Sequence, residues 1–417
     1  MNRRQVKILI SAAEASSDVH GAELLRALRA RLPEETELSV FGIGGPQLQK
    51  AGLRTLVDAR GLLSMGFIEI ISRLPKILAA LKTLTEAARV EKPDVAVVID
   101  YPDFHFRLAR KLKALGVPVI YYIPPKVWVW RKGRIRQMRE LFSRILCIFP
   151  FEEPFYRKEN VPVRYVGNPL IDELPLDLTR DEARRKLGLA ESERVLCLMP
   201  GSRPSELKRH LELMLEGSVR AAAELRSKGG LGPQEALRLL IPLPNTADLA
   251  NLKSRVHGWQ AMGGWDRESS IVLIQVSQGD AAIALKAADA ALVKSGTSTL
   301  EAALLGCPHA VMYRPNAFSC WIFKHVIRYR DPVGLVNLIL RDSENRPRRI
   351  TEELLCKRAT PSSLAKEAVN LMTNPALRAR MKSDFDELRA VIRAGAGTDV
   401  ASGPSARAAD EILSWVR

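Results

Sequence analysis

Short apolar runs recur along the chain, separated by stretches in which apolar residues return every three or four positions. VKILISAA (6–13), LSVFGIGG (38–45), PDVAVVIDYPDF (93–104), PVIYYIPP (118–125), RILCIFPF (144–151) and PVRYVGNP (162–169) read as strands. Between them, GAELLRALRARL (21–32) places Leu24, Leu25, Leu28 and Leu32 on one helical face, and RLARKLKALG (107–116) is a helix stopped by Gly116. Residues 171–193 are charged and carry no strong strand signal, as a linker and connecting helix would. A second series follows: RVLCLMPGSR (194–203), ALRLLIPLP (236–244), SSIVLIQV (269–276), ADAALVKSG (288–296) and PHAVMYRP (308–315), with the helix TLEAALLG (299–306) ended by Gly306. Strands alternating with helices predict an α/β protein with parallel sheets covered on both faces. The restart predicts two doubly wound domains, 1–170 and 171–399, with a cleft between them and ligands at the carboxyl ends of the strands. GPSARAADEILSWVR (403–417) is a helix whose home domain the pattern does not fix; the segment from about 400 onward has the option of packing back on the first domain.

Composition narrows the picture. The 417 residues are 47% hydrophobic and 26% charged, as in a folded globular protein. No apolar run approaches the roughly 18–20 residues that span a bilayer. The first apolar run is followed at once by Glu14 and Asp18, so it reads as a buried strand rather than a signal peptide, and the cytoplasm is the expected compartment. Five cysteines (Cys147, Cys197, Cys307, Cys320, Cys356) form no CxxC pair, which argues against a disulfide framework or a zinc site. The six histidines show no HxxxH or HExxH spacing, so no metal is expected. The net charge of +16 is concentrated early, with 28 basic against 17 acidic residues in 1–170. That excess suits an anionic partner: nucleic acid, a membrane surface or a phosphorylated substrate.

Six segments carry candidate chemistry. PGSRPSELKRH (200–210) follows a strand and opens a helix, whose N–H groups could bind a phosphate with Arg203 as a clamp; an ordinary strand–helix turn explains the same residues. In KSGTSTLEAALLG (294–306), Gly296 allows close backbone approach, Thr297, Ser298 and Thr299 offer hydroxyls, and Glu301 could accept from ribose hydroxyls. Ser298-x-x-Glu301 is equally a capping box. In AEASSD (13–18), Asp18 suits capping, which leaves Glu14 as the better functional candidate. IDYPDF (99–104) ends an apolar strand at Asp100, a candidate general base, with Asp103 as a loop-capping residue beside it. PPKVWVWRKGRIRQMR (124–139) interleaves two tryptophans with six basic residues. It fits nucleic acid, a phosphorylated sugar, anionic lipid, or a buried pair beside a solvated helix. GFIEIISRLPKILAALKTL (66–84) reads as an interfacial or a core helix.

In series, these segments resemble the lipid-A-disaccharide synthase family of bacterial glycosyltransferases. AEASSD stands where the family has GEASGD, SMGFIEIISRLPKIL matches its MG-x-x-E stretch, and IDYPDFHFRLARKLK, PPKVWVWRKGRI, FPFEEPFYRKENVPVRYVGNPL, MPGSRPSE and SGTSTLEAALLGCPHAVMYRP follow in the family's order. Ala13 and Ser17 replace two glycines, Pro125 and Lys126 replace the usual Ser-x-Ser-Val, Asn168 replaces the histidine of VGHP, and Val336-Asn337-Leu338 lacks the proline of PNLL. The resemblance implies a GT-B fold, two facing Rossmann-like domains with an interdomain active-site cleft. It implies transfer of 2,3-diacylglucosamine from its UDP derivative to 2,3-diacylglucosamine 1-phosphate with inversion, giving the β-1,6-linked disaccharide 1-phosphate and UDP. Asp100 would be the catalytic aspartate and Glu14 its partner. Gly201, Ser202, Arg203, Ser295, Gly296, Thr297, Ser298, Thr299, Glu301 and Asn337 would serve the UDP-sugar. Met65, Phe67, Ile68, Trp128, Trp130 and Arg131 would form the acceptor or membrane surface. The resemblance further implies no metal or other cofactor, no nucleic-acid partner, and peripheral attachment to the cytoplasmic leaflet of the inner membrane. It is compatible with a homodimer. The alternative is another nucleotide-sugar enzyme of this fold, an epimerase or a polar-acceptor transferase; the PDF and VWxWR motifs count against it.

Overall fold

The computed structural model describes residues 4–61, 67–125, 127, 133–243, 248–260, 271–315, 320, 331–394 and 403–416. It divides into two units, Met1–Glu173 with Val391–Arg417, and Leu174–Ala390.

Unit 1 is built on a parallel sheet of seven strands among the described residues: β1 (Gln5–Ala12), β2 (Glu37–Gly44), β3 (Arg54–Asp58), β4 (Val95–Ile99), β5 (Val119–Tyr122), β6 (Arg144–Cys147) and β7 (Val163–Tyr165). Their order is β3-β2-β1-β4-β5-β6-β7. β4 is VAVVI, buried at every position, because helices cover both faces of a parallel sheet. The C-terminal helix Pro404–Leu413 belongs to this unit and packs against the helix Ala15–Arg31. Its fastenings are polar as well as apolar. The Ser405 N–H donates to Asp172 at 2.9 Å, and the Arg407 Nε–H donates to the Val166 carbonyl at 2.9 Å.

Unit 2 repeats the plan with β8 (Arg194–Met199), β9 (Leu237–Leu243), β10 (Val272–Gln278), β11 (Ala290–Lys294), β12 (His309–Tyr313) and β13 (Glu353–Leu355), in the order β10-β9-β8-β11-β12-β13. The charged connector contains a helix, Arg180–Lys186, capped by Thr179, and it is anchored by a buried ion pair. Arg184 donates to Asp289 at 3.3 Å and to the carbonyls of Ala287, Ala190 and Glu191, while Asp289 also accepts the Val195 N–H. These extra hydrogen bonds are what make burial of two charges tolerable.

The structure corrects the cysteine reading. Cys320 and Cys356 are joined by a disulfide, with Cα atoms 6.2 Å apart. Their separation of 36 residues gave no sign of it, because the fold rather than the spacing brings them together. Cys147, Cys197 and Cys307 are buried thiols. Among the described residues, no helix is long and apolar enough to cross a membrane.

Candidate functional site

In each sheet the strand order reverses at one place, and the open carboxyl ends there are where doubly wound sheets bind ligands. In unit 1 the reversal lies between β1 and β4, where Ala12 is registered against Ile99. Glu14 follows the first strand by two residues and Asp100 immediately follows the second. In unit 2 it lies between β8 and β11, where Met199 is registered against Val293. Pro200–Arg203 and Ser295–Thr299 follow those two strands. Glu14, Asp100, Gly201–Arg203 and Ser295–Thr299 therefore fall at the two switch points.

In unit 1, Asp100 and Tyr101 have φ of +52° and +45°, in the left-handed region that L-residues avoid. Each such residue costs about 1–2 kcal/mol, so neighbouring contacts must hold the turn. They do so through the Asp100 carbonyl. It accepts from His105 Nδ1–H at 2.5 Å and from the Tyr121 hydroxyl at 2.9 Å. Because a carbonyl only accepts, Nδ1 carries the proton and Nε2 is the acceptor. The Ser11 hydroxyl, 2.8 Å away, donates to it. His105, Ser11 and Tyr121 are fully buried. Burial pushes the His105 pKa down to about 4, against the opposing bond to Asp100, so the ring is neutral near pH 7.

Of the two acidic residues after β1, Glu14 departs from its expected role, and Asp18 caps as expected but on a different helix. Glu14, read as free of capping duty, is the N-cap of helix Ala15–Arg31: its N–H donates to Ser17 Oγ and its carbonyl accepts the Ser17 hydroxyl, both at 2.9 Å. Asp18 caps a different helix. Its carboxylate accepts N–H bonds from Gly45 (2.7 Å), Gln47 (2.9 Å) and Leu48 (3.1 Å) at the start of Pro46–Lys50. Asp103 lies on the first turn of helix Pro102–Ala114, exposed and paired with Arg134.

In unit 2, Gly201 has φ of +112°, and a Cβ there would collide with the Glu206 carboxylate. That carboxylate accepts the N–H groups of Ser202 (3.2 Å) and Arg203 (3.4 Å) and pairs with Lys294 at 2.9 Å. The helix-start donors expected to meet a phosphate are thus occupied by the chain's own anion. Burial alone would raise the Glu206 pKa, but Lys294 and the Arg203 N–H hold it below the usual carboxylate value. Arg203 extends into solvent, 59% exposed, at the helix N-cap. His210 Nδ1–H donates to the Pro200 carbonyl at 3.0 Å and Nε2 accepts the Arg314 N–H at 3.4 Å, tying the loop after β8 to the chain leaving β12. Burial lowers its pKa, with Lys294 adding to the effect.

The second loop is fixed differently. Helix Thr297–Leu304 is capped by Gly296, so Ser298 and Glu301 do not form the capping box, and Glu301 lies beyond the first turn. Thr297 is exposed and Ser298 half-buried, but Thr299 is fully buried and its hydroxyl donates to the Gly296 carbonyl at 2.9 Å. This removes Thr299 from the set of available hydroxyls. Ser295 donates to the Val333 carbonyl at 3.2 Å. Val333 and Gly334 in turn donate to the buried carboxylate of Glu353 at 2.9–3.1 Å.

Comparison with known proteins decides the family. The family model described as lipid-A-disaccharide synthetase matches residues 8–396. A lipid-A-disaccharide synthase of Myxococcus xanthus (strain DK1622) is 40% identical over 98% of this chain and 97% of its own. The chain belongs to the lipid-A-disaccharide synthase family. Another synthase, from Anaeromyxobacter dehalogenans (strain 2CP-C), is 36% identical over 99% of this chain and 98% of its own. The crystal structure of Acinetobacter baumannii MurG shares the fold at a TM-score of 0.51, with 14% identity and 99% of each chain covered. Two Rossmann-like units of this type make the architecture GT-B.

Within this lipid-A-disaccharide synthase family member, a second assignment made by resemblance changes besides Thr299. Asn337 is fully buried. Its Nδ2 group donates to the Thr351 carbonyl (3.0 Å) and to Glu353 (2.9 Å), and its Oδ1 accepts the N–H groups of Ile350 and Thr351 at 2.9 Å. With both amide atoms committed, Asn337 shapes the loop from inside instead of touching a ligand. Met65, Trp128, Trp130 and Arg131 lie outside the described residues, and Phe67 and Ile68 open the helix Phe67–Glu91. Sequence reasoning passed over Ser11, His105, Tyr121, Glu206, Lys294, His210 and Glu353. Glu206 had a legible signal, three residues after the helix-capping Arg203. His105 stands about one helical turn after Asp100. Ser11, Tyr121 and Glu353 had none, because strand register and topology alone bring them in.

Proposed function

We propose that this protein transfers 2,3-diacylglucosamine from its UDP derivative to the 6-hydroxyl of 2,3-diacylglucosamine 1-phosphate, releasing UDP. The supporting observation is the family match over residues 8–396, with whole-chain relatives that carry this activity in their names. Asp100 is the general base. Its carboxylate takes the proton of the acceptor hydroxyl as that oxygen bonds to the anomeric carbon. The bond from that carbon to the UDP oxygen breaks, its electron pair leaves with UDP, and the configuration inverts. Glu14, across the same switch point, assists in holding the acceptor.

Unit 2 takes the UDP part. Gly201, Ser202 and Arg203 receive the diphosphate, whose growing charge is met by the Arg203 guanidinium and helix-start N–H groups. Ser295, Gly296, Thr297 and Ser298 line the opposite wall, and Glu301 accepts from the ribose. Asn337 and Thr299 support this wall from behind. Both substrates are acylated, so the enzyme works at a membrane surface. The basic excess of residues 1–170 suits the anionic inner leaflet.

Asp100→Asn tests the reading. Turnover, followed as disaccharide 1-phosphate by mass spectrometry, should fall by roughly 10²–10⁴-fold while UDP affinity and melting temperature stay close to wild type. Near-normal turnover would remove Asp100 from the base role.

A further inference from the structure

We propose that His105 and Tyr121, backed by Ser11, are positioning residues that aim the Asp100 carboxylate by clamping its own carbonyl. This rests on the reading of Asp100 as the base and says how that base is held. Asp100 and Tyr101 occupy left-handed backbone conformations side by side, with no glycine to ease them. Such a turn relaxes unless its peptide groups are pinned, and relaxing it would swing the Asp100 side chain away. The clamp has two arms from different elements. His105 reaches back from helix Pro102–Ala114, and Tyr121 reaches across from β5. Both meet the same oxygen, at 2.5 and 2.9 Å.

The third member, Ser11 on β1, supports the wiring that the carbonyl sets. With Nδ1–H aimed at the Asp100 carbonyl, Nε2 is an acceptor, and the Ser11 hydroxyl 2.8 Å away donates to it. The other tautomer would turn a lone pair toward the Asp100 carbonyl and open the clamp. Aromatic packing holds both arms: His105 meets Tyr121 edge-on at 6.2 Å and Phe104 at 5.5 Å, and Tyr121 lies 4.8 Å from Phe142. None of the three residues is exposed, so they reach substrate only through Asp100. A clamp of this kind governs the alignment of the base and therefore kcat more than substrate binding.

The experiment compares His105→Leu, His105→Asn and Tyr121→Phe in the full-length enzyme, alone and combined with Asp100→Asn. The readouts are kcat, KM for each substrate, UDP affinity and melting temperature. His105→Leu removes one donor and should lower kcat roughly 30-fold with both KM values nearly unchanged, the scale expected of a small misplacement of a catalytic group. Tyr121→Phe should lower kcat by about five- to tenfold. His105→Asn puts an amide N–H near the place of Nδ1–H and should recover most of the loss. In the Asp100→Asn background His105→Leu should cost almost nothing more, since it acts through Asp100. The inference is overturned if His105→Leu leaves kcat intact, if Asn fails to rescue, or if the loss tracks melting temperature across the series. Near-normal turnover of Asp100→Asn itself would instead overturn the reading on which the inference rests. If His105→Leu does not fold, Tyr121→Phe and His105→Asn, which keep the ring volume or the donor, still decide the question.

Discussion

Both switch points are held from behind by buried polar clusters, and the clusters are opposite in kind. In unit 1 the held atom is a backbone carbonyl in a strained turn, and the anchors are a neutral imidazole and a phenol. In unit 2 the held atoms are the N–H groups of Val333 and Gly334, and the anchor is the Glu353 carboxylate, shared with Asn337. The chemistry of each anchor follows from the backbone group left over after the strands are paired. A spare carbonyl needs donors, and spare N–H groups are best served by an anion. The two anchors should therefore fail differently.

The largest difference should appear when each is removed. Glu353→Ala strands three N–H donors at once, two of them buried, and should cost about 3–5 kcal/mol. His105→Leu leaves the Asp100 carbonyl still bonded to Tyr121, so about 1–2 kcal/mol is expected, with the greater loss falling on kcat. Urea unfolding of the two variants measures this directly. Equal losses would mean that the two clusters are ordinary core hydrogen bonding with no division of labour.

Acid should also separate the anchors. A histidine whose folded pKa is lowered binds its proton more readily in the unfolded chain, so it adds stability above about pH 6.5 that is lost progressively as pH falls toward the folded value. For His105, pushed down to about 4, that amounts to roughly 3 kcal/mol. His309 in unit 2, also lowered to about 4 by burial, contributes a similar amount, but it stacks on Phe385 and takes no part in the Glu353 cluster. Denaturation curves between pH 7 and 4 should lose about one proton of linkage in His105→Leu, and kcat should fall with it; His309→Gln should lose the same linkage and leave kcat alone. Identical behaviour of the two variants would remove the link between the unit 1 anchor and turnover.

The physical basis of this contrast also explains what the sequence disclosed. The strands at the middle of each sheet were legible because burial on both faces leaves unbroken apolar runs such as VAVVI (95–99). Two of the edge strands, β3 (RTLVD) and β13 (ELL), were not, being short and mixed in composition, and β13 carries the Glu353 anchor. The home of the C-terminal helix was equally hidden, since it is set by contacts such as Ser405 to Asp172, 233 residues apart. Among candidate site residues, those at strand ends stood out because small and acidic residues interrupt an apolar pattern there. Their supports did not. A buried histidine, tyrosine or asparagine resembles any core residue until register shows which backbone atom it faces. Asn337, assigned to the ligand by resemblance, is one such residue, and the pattern equally hid that Glu14 stands at the N-cap of its helix.

The smallest predicted effect tests whether the unit 2 turn is a preformed anion site with its own plug. The Glu206 carboxylate sits on the N–H groups of Ser202 and Arg203 and neutralises Lys294. A diphosphate arriving at these donors must compete with it. Glu206→Gln keeps an acceptor of the same shape and deletes one negative charge. Two consequences of opposite sign follow. Loss of the Lys294 pair, with burial of the group only partial, should lower stability by about 1 kcal/mol or less, and because the folded pKa of Glu206 is depressed, that loss should show above the carboxylate range and vanish in acid. UDP should bind more tightly, by about three- to fivefold, because its charge then meets Lys294 without a rival. Calorimetric titration of UDP into wild type and variant reads the second effect, and weaker or unchanged binding would place the diphosphate away from the start of helix Pro204–Ser227.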